Sequence, residues 1–382
     1  MRRKIGTYAF AGSRYAHTFN EKRYSGSQEN PMNQKPLRII NSVAPIRICD
    51  NGGWTDTWFA KHGRIFNIAV YPYAEVQIEI FQSSDDRNRI IIQAENYGDR
   101  YTIDAEKKGW NKHPLLEAAI DYMKVPDKIS MQVSIYSEAP AGASTGTSAA
   151  VSVALIGALA RLTERQLSPV EVAYAAHHVE MNILGYQCGI QDQLCSAYGG
   201  INFIGMDHFP QASVTQIQLQ NETWWELERR LILIYLGRSH SSSDVHKKVI
   251  TELENEGPEC KKLNDLRMTA GQSRDALLAG DFNLLGRAMI DNTEAQGRLH
   301  PDLVSSEAEQ VIGIAKAHGA IGWKLNGAGG EGGSMTILCG GLSHAKRRMI
   351  KEIEEENVLF KNIPIYLSRF GLRTWERNAE MR

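Results

Sequence analysis

The sequence has no long apolar run and few cysteines. None of its hydrophobic stretches reaches the roughly 18 residues that a membrane-spanning helix needs. Five cysteines among 382 residues are widely spaced, and no two of them form a Cys-x-x-Cys pair. This spacing argues against a disulfide framework and against a structural zinc site, so we expect a protein of the reducing cytoplasm without a membrane partner.

A strong net charge is also missing. The chain has 43 Lys and Arg against 44 Asp and Glu, which excludes the basic composition typical of nucleic-acid-binding proteins. Basic residues are concentrated at the N-terminus, because residues 1–36 contain seven of them and only two acidic residues. This segment has no helical or alternating apolar pattern. It is therefore predicted to be a flexible extension ahead of the folded domains.

A regular βαβ repeat is absent as well, which favours an α+β protein. The chain length favours two domains, which we place at 37–207 and 208–382. Strand patterns occur at 75–81, 89–95, 131–137, 201–206, 229–237, 334–340 and 363–369. Helical patterns occur at 148–162, 168–184, 190–198, 242–256, 261–278, 305–318 and 343–357.

A stretch of small residues, EAPAGASTGTSAA at 138–150, precedes the first of these helices. Gly142 and Gly146 allow the backbone to approach a ligand closely. Hydroxyl groups follow at Ser144, Thr145, Thr147 and Ser148. A helix N-terminus offers unpaired N–H groups and a partial positive charge, which suit a phosphate group. The stretch lacks the Gly-Lys-Ser/Thr ending of a P-loop, and by itself it fits equally a polar loop that caps a buried helix.

A second glycine-rich stretch is NGAGGEGGSMTIL at 326–338. Gly327, Gly329 and Gly332 form a G-x-G-x-x-G pattern, which in dinucleotide-binding proteins connects a strand to a helix. Here the glycines lead into a strand-like segment, so a nicotinamide site is not predicted. The glycines indicate a close backbone approach to a ligand or to another loop, and a purely structural turn is the alternative.

Two further stretches contain candidate charged residues. In APIRICDNGGWTD at 44–56, Arg47 lies on a predicted strand and Asp56 follows a Gly-Gly turn. In VEMNILGYQCGIQDQ at 179–193, Glu180 lies near the end of one apolar helix and Asp192 at the start of the next. Taken alone, these acids fit a surface position or a helix end as well as a functional site.

In their order along the chain, the four stretches resemble the motifs of the GHMP superfamily of small-molecule kinases. This superfamily includes galactokinases, homoserine kinases, mevalonate kinases and phosphomevalonate kinases. The resemblance spans about residues 38–369, and CGIQDQ at 188–193 looks like the galactokinase segment CGIMDQ, which contains the catalytic aspartate. APIRIC with GGWTD, APAGASTGTSAA, and GRSHSSSDVHKKVI at 237–250 are most similar to D-glycero-D-manno-heptose 7-phosphate kinases and fucokinases. Two departures are Ser144-Thr145 in place of Gly-Leu and Trp54 in place of a glycine.

The resemblance implies a fold and an activity. The expected fold has an N-terminal ribosomal-protein-S5-like domain, a C-terminal ferredoxin-like α/β domain and a cleft between them. The expected reaction is transfer of the γ-phosphoryl group of ATP, with Mg²⁺, to the anomeric O1 of a sugar or sugar phosphate. The alternatives are a galactokinase or other monosaccharide kinase, a mevalonate-type kinase, and a non-catalytic sensor that binds sugar and ATP. The oligomeric state stays open, with a homodimer as one alternative.

The resemblance also assigns roles to residues. Asp192 is the expected general base, with Arg47 beside it, and Ser148 and Glu180 are the expected Mg²⁺ ligands. The residues expected around ATP are Pro140, Gly142, Ser144, Thr145, Gly146, Thr147, Ser148, Gly327, Gly329 and Gly330. The residues expected around the sugar are Gly53, Trp54, Asp56, Arg238, Ser241 and Ser243. For the last three, a helix-capping loop is the alternative.

Overall fold

The computed structural model describes residues 35–82, 89–103, 109–237 and 242–378. The predicted N-terminal extension, apart from residues 35 and 36, lies outside these ranges. Within them, no helix is both long and apolar enough to cross a bilayer. The structure combines helices with two mixed or antiparallel sheets, which confirms the predicted α+β class. The domain boundary near residue 207 stays a prediction.

The strands of the described chain form a nine-stranded and a four-stranded sheet. In chain order they are β1 (Arg38–Asn51), β2 (Gly63–Phe81), β3 (Ile90–Ala94), β4 (Asp99–Thr102), β5 (Ser130–Ser137), β6 (Ile201–His208), β7 (Gln211–Gln216), β8 (Leu231–Tyr235), β9 (Ala320–Leu325), β10 (Ser334–Cys339), β11 (Lys361–Ile363), β12 (Tyr366–Leu367) and β13 (Arg373–Asn378). The larger sheet has the order β13-β1-β2-β5-β3-β4, and β6, β7 and β12 extend it through β2. The smaller sheet has the order β11-β8-β10-β9.

The helices of the described chain cover the sheets. They are α1 (Pro114–Met123), α2 (Thr147–Leu162), α3 (Pro169–His178), α4 (Gln191–Tyr198), α5 (Asn221–Arg230), α6 (Ser242–Glu256), α7 (Lys261–Leu278), α8 (Phe282–Leu299), α9 (Ser306–Ala317) and α10 (Ser343–Glu356). The main core lies between the larger sheet and α1 to α4, with α2 packed directly on β1 and β2. Helices α7 and α8 pair with each other and connect β2 of the larger sheet with β9 of the smaller one.

Helix α2 shows why its sequence is so rich in small residues. Twelve of its 16 residues are buried, and at Gly157 an added Cβ would lie 2.7 Å from a methyl carbon of Leu372. Small side chains allow the helix to lie close to the sheet, and this close packing fixes the direction of its axis. The N-terminus of α2 and the loop before it are thereby held beside β1, where the Arg47 backbone N–H donates to the Thr145 carbonyl.

The secondary-structure predictions are confirmed for most elements, and the exceptions have local causes. The helix predicted at 168–184 is α3, with the expected capping box between Ser168 and Glu171, followed by one π-helical turn, Val179–Ile183. The strand predicted at 363–369 is divided into β11 and β12 around Pro364, which cannot donate a ladder hydrogen bond. The strand predicted from 229 begins two residues later, because α5 continues to Arg230. The elements that were not predicted are helices α1, α5 and α8 and strands β4, β7, β9 and β13.

Candidate active site

Two clefts meet at the end of β1 where α2, α4 and the loop between β9 and β10 converge. The larger cleft has a volume of about 580 Å³ and is lined by the loop 141–148 together with residues of 94–97 and 112–116. The smaller cleft has a volume of about 250 Å³ and is lined by residues of 54–59, 187–193 and α6. The residues that line both clefts are Arg47, Ser148, Asp192, Gly327 and Ala328.

Arg47 and Asp192 form a bidentate ion pair at this junction. Arg47 Nε donates to Asp192 Oδ1 at 2.8 Å, and Nη2 donates to Oδ2 at 3.2 Å. The arginine is 4% exposed on β1, whereas Asp192, in the first turn of α4, keeps 27% of its side-chain surface exposed. The guanidinium is therefore a fixed, buried charge that orients a carboxylate accessible from the clefts.

A second carboxylate, Asp50, contributes to the charge balance of Arg47. Its Oδ2 lies 3.7 Å from Arg47 Nη2, and Asp50 is completely buried. Burial disfavours the charged guanidinium, but Asp192 and Asp50 together raise the pKa of Arg47 above its ordinary value. Arg47 consequently stays charged although it is withdrawn from water.

The loop before α2 has a left-handed backbone conformation at both Gly146 and Ser144. Gly146 caps α2 with φ 68°, and an added Cβ there would lie 3.0 Å from the carboxyl carbon of Asp192. Ser144 also has a positive φ, 54°, so the glycine of the family motif is replaced by a residue that keeps the left-handed turn. Its carbonyl accepts a hydrogen bond from Arg47 Nη1, and the carbonyl of Thr145 accepts one from the Arg47 backbone N–H at 2.9 Å. Because of these bonds, the loop and the Arg47–Asp192 pair are held in a fixed arrangement.

Glu180 lies on the π-helical turn and lines the smaller cleft. It is 5% exposed and accepts one hydrogen bond at Oε1, from Gln193 Nε2 at 3.0 Å. Burial raises the pKa of Glu180 from 4.5 to about 7, and the neighbouring Asp192 charge contributes in the same direction. Among the described residues, no Lys, Arg or His forms a salt bridge with this carboxylate, and Ser148, with its hydroxyl group, lines the same cleft. Both residues offer oxygen donors of the kind that a hard divalent cation prefers.

Asp56 and Trp54 form part of the smaller cleft. Asp56 is 3% exposed, its Oδ2 accepts a hydrogen bond from the Gln191 backbone N–H at 3.0 Å, and burial raises its pKa to about 6. The Trp54 ring packs against Phe59 and against His246 of α6, with ring centroids 6.4 and 5.8 Å apart. The tryptophan that replaces the family glycine is therefore largely buried and forms an aromatic wall of this cleft.

The other predicted site residues have different positions. The larger cleft is lined by Gly142, Ser144, Thr145, Gly146 and Thr147, as well as the shared residues above. Pro140, Gly53 and Gly329 are adjacent in sequence to lining residues, whereas Gly330 is two residues from Ala328. None of these four described residues lines either cleft. Arg238 and Ser241 lie outside the described residues, and so does the side chain of Ser243, although its backbone belongs to α6.

Three residues at the site were not predicted from the sequence. Lys324, 1% exposed, forms a salt bridge from its Nζ to Asp50 Oδ1 at 3.2 Å, and it also donates to Gln296 Oε1 at 3.2 Å. The sequence contained a reason to consider Asp50 as a site residue, because it follows Arg47 by three residues within the same motif. Lys324 and Gln296 come from β9 and α8, which showed no pattern typical of a functional site.

Comparison with known proteins adds independent information. Residues 114–200 match the model of the GHMP kinases N terminal domain. The chain is 23% identical over 350 residues to D-glycero-alpha-D-manno-heptose 7-phosphate kinase of Campylobacter jejuni, covering 89% of this chain and 99% of that protein. It is 31% identical over 259 residues to mevalonate kinase of Pyrococcus horikoshii, covering 65% of this chain and 70% of that protein.

A solved structure supports the same fold. The crystal structure of a D-glycero-D-manno-heptose 1-phosphate kinase from Bacteroides thetaiotaomicron superimposes with a TM-score of 0.68 and 20% identity, covering 88% of this chain and 98% of that one. This likeness confirms the expected fold. Because a relative with 31% identity is covered over 70% of its length and the family model matches around the first glycine loop, the chain belongs to the GHMP kinases, a family of ATP-dependent phosphotransferases.

Proposed function

We propose that the protein transfers the γ-phosphoryl group of ATP to a hydroxyl group of a sugar, with the nucleotide in the larger cleft and the sugar in the smaller one. The observation that carries this proposal is the position of Arg47 and Asp192, which line both clefts at their junction. A hydroxyl in the smaller cleft and a phosphoryl group in the larger one would meet at this pair.

The geometry supports a mechanism in which catalysis comes mainly from positioning the reactants and from electrostatic stabilisation of the transferred group. Asp192 would accept the proton of the acceptor hydroxyl, since it is the accessible member of the pair. Arg47 would hold that carboxylate in place and offset negative charge on the transferred group. The backbone N–H groups at the start of α2, exposed by the turn at Gly146, would bind the phosphate oxygens.

Ser148 and Glu180 would hold Mg²⁺ at the side of the smaller cleft. In the described residues, no cluster of three or more His, Cys, Asp or Glu forms a complete metal site, so the nucleotide phosphates would supply the remaining ligands. The cation would neutralise charge on the phosphates during transfer. Its binding would also compensate the buried charge of Glu180.

For the acceptor, we propose a sugar or sugar phosphate, as the names of the heptose phosphate kinase relatives suggest. Transfer to the anomeric O1 is proposed from the sequence resemblance to this branch of the family. One observation favours an unphosphorylated monosaccharide as a second candidate. The described lining of the smaller cleft includes four carboxylates, at Asp50, Asp56, Glu180 and Asp192, and its arginine, Arg47, is paired with two of them. Such a lining suits neutral hydroxyl groups better than a second phosphate.

The cellular setting is proposed on the same grounds. All five cysteines lie within the described ranges and are unpaired, as expected of a protein kept under reducing conditions. We therefore propose a cytoplasmic enzyme whose partners are small molecules.

The test is ADP release in the presence of Mg²⁺ and ATP over a panel of acceptors. The panel pairs D-glycero-D-manno-heptose with its 7-phosphate, and D-galactose and L-fucose with phosphorylated forms, and it includes mevalonate. We expect turnover with at least one sugar, and each pair reports whether a phosphate on the acceptor helps or hinders. An Asp192→Asn preparation, purified in the same way, controls for contaminating kinases. Turnover of mevalonate alone would contradict a sugar kinase, and binding of ATP and sugar without turnover would favour a sensor.

A further inference from the structure

We infer that Asp50, Gln296 and Lys324 are positioning residues that clamp Gly327 of the glycine-rich loop against the loop before α2 and the catalytic arginine. The three side chains come from β1, α8 and β9, which are distant in the sequence. The inference rests on the proposed phosphoryl transfer for its effect on activity, but its geometry does not depend on the identity of the substrate.

The clamp is a closed ring of hydrogen bonds around one residue. The Gly327 backbone N–H donates to both carboxylate oxygens of Asp50, at 3.2 and 3.0 Å. Its carbonyl accepts from Gln296 Nε2 at 3.0 Å. Lys324 Nζ closes the ring, since it lies 3.2 Å from Asp50 Oδ1 and 3.2 Å from Gln296 Oε1. Both polar groups of the Gly327 backbone are therefore fixed by side chains of other elements.

All three side chains are buried, with exposures of 0% for Asp50 and 1% for Gln296 and Lys324. A buried ion pair contributes little net stability, because the cost of removing two charges from water is comparable to their attraction. Asp50 and Gln296 instead bond the polar backbone groups of Gly327, which apolar residues of similar size would leave without partners. We therefore attribute the charged ring to the position that it gives Gly327.

Gly327 lies against Ser144 of the loop before α2 and against Arg47 of the proposed catalytic pair. An added Cβ at Gly327 would lie 3.0 Å from Ser144 Cβ and 3.5 Å from Arg47 Nη2, so Gly327 fills the gap between these two residues. Gly333, at the other end of the glycine-rich loop, is equally close to Ser144, because an added Cβ there would lie 3.0 Å from Ser144 Oγ. A shift of Gly327 would change the spacing between the glycine-rich loop and the phosphate-binding loop.

Lys324 has a second consequence for the catalytic pair. Asp50 lies between two cations, Lys324 at 3.2 Å and Arg47 at 3.7 Å. With Lys324 present, Asp50 is compensated and Arg47 remains bonded to Asp192 through two nitrogen atoms. Without the Lys324 charge, Asp50 would compete with Asp192 for the guanidinium group of Arg47.

The test uses Gln296→Met and Asp50→Asn in the full-length enzyme. Gln296→Met has nearly the same volume and no charge, so it should fold even if a charge change does not. We expect kcat to fall about tenfold or more in each variant, with KM of the acceptor changed less than about threefold, because misplacement of about 1 Å lowers the rate more than binding. The double variant should be no slower than the slower single one, since the residues act as a unit.

Hydrogen exchange gives a readout that does not require turnover. Backbone amides of the loop 326–333 should exchange faster in both variants than in the wild type. The exchange rates of the flanking strands β9 and β10 should not change. The matched control is Ser273→Ala, which removes a buried hydrogen bond from Asn51 Nδ2, 2.6 Å long, without touching Gly327. It should lower the melting temperature but leave kcat and the exchange of 326–333 unchanged.

Several outcomes would overturn the clamp. They are wild-type exchange at 326–333, an equal loss of kcat in Ser273→Ala, or rate losses that multiply in the double variant. A protein that phosphorylates no acceptor would contradict the proposed function, but the exchange experiment would still decide whether the clamp exists.

Discussion

Replacing Glu180 by glutamine should make the protein more stable above neutral pH. The Glu180 pKa is raised from 4.5 to about 7 in the folded protein, mainly by burial. A carboxyl group with a higher pKa in the folded than in the unfolded state favours folding in its protonated form. Ionising it therefore costs folding free energy, and this cost is absent below pH 4.5, grows between pH 4.5 and 7, and is complete above pH 7.

The size of this cost follows from the pKa. The rise from 4.5 to about 7 corresponds to about 3 kcal/mol of unfolding free energy at pH 8, and to less than about 1 kcal/mol at pH 5. Glu180→Gln removes the ionisation and keeps an oxygen that can accept the hydrogen bond from Gln193 Nε2. We expect the variant to gain up to about 3 kcal/mol at pH 8 and little at pH 5.

Urea unfolding at both pH values, without Mg²⁺ or nucleotide, measures this difference. The matched control is Glu117→Gln, because Glu117 is equally buried at 5% exposure but has a lowered pKa. Burial acts to raise the Glu117 pKa, but hydrogen bonds from Tyr101 Oη at 2.6 Å and from backbone N–H groups outweigh it. Glu117→Gln should therefore destabilise the protein at pH 8. A Glu180→Gln variant less stable than wild type at pH 8, or a gain independent of pH, would refute the reasoning.

Two further predictions concern the clefts. Gly146→Ala places a Cβ 3.0 Å from the Asp192 carboxyl carbon in a turn with φ 68°, so steady-state kcat should fall about tenfold or more. Gly280→Ala, with φ 69° and open space around it, should cost stability but leave kcat unchanged, and equal losses in the two variants would contradict the contact with Asp192. Burial raises the pKa of Asp56 to about 6, so KM of the acceptor should rise about tenfold per pH unit below 6. This dependence should vanish in Asp56→Asn, and a flat KM from pH 5 to 8 in the wild type would show that the charge of Asp56 does not bind the sugar.

The parts of the site that local sequence determines were the parts that could be predicted. The small residues of 138–150 and the glycines of 326–333 indicated loops that approach a ligand, and both loops lie at the junction of the clefts. Arg47 and Asp192 were assigned by resemblance to a family, and the structure brings them into contact. Spacing alone does not determine this contact, because it joins β1 and α4 through the packing of the larger sheet.

The clamp shows why the rest could not be predicted. Asp50 and Gly327 are 277 residues apart, and their contact depends on how α8 and β9 pack beside β1. No periodicity or motif marks Lys324 or Gln296, because a single buried polar residue on a strand or helix has the same local pattern as a solvent-facing one. The Trp54 replacement could be seen in the sequence, but its burial against His246 requires the position of α6.

The most direct test of the account is the rate of phosphoryl transfer in Asp192→Asn, measured in a single turnover at saturating ATP and sugar, together with the affinity for ATP. If Asp192 is the general base at the junction of the clefts, transfer should slow by about 100-fold or more. The dissociation constant for ATP should stay within about threefold of the wild-type value, because the proposed mechanism assigns nucleotide binding to the loop before α2. A transfer rate close to that of the wild type would contradict the assignment of Asp192 and the proposed mechanism.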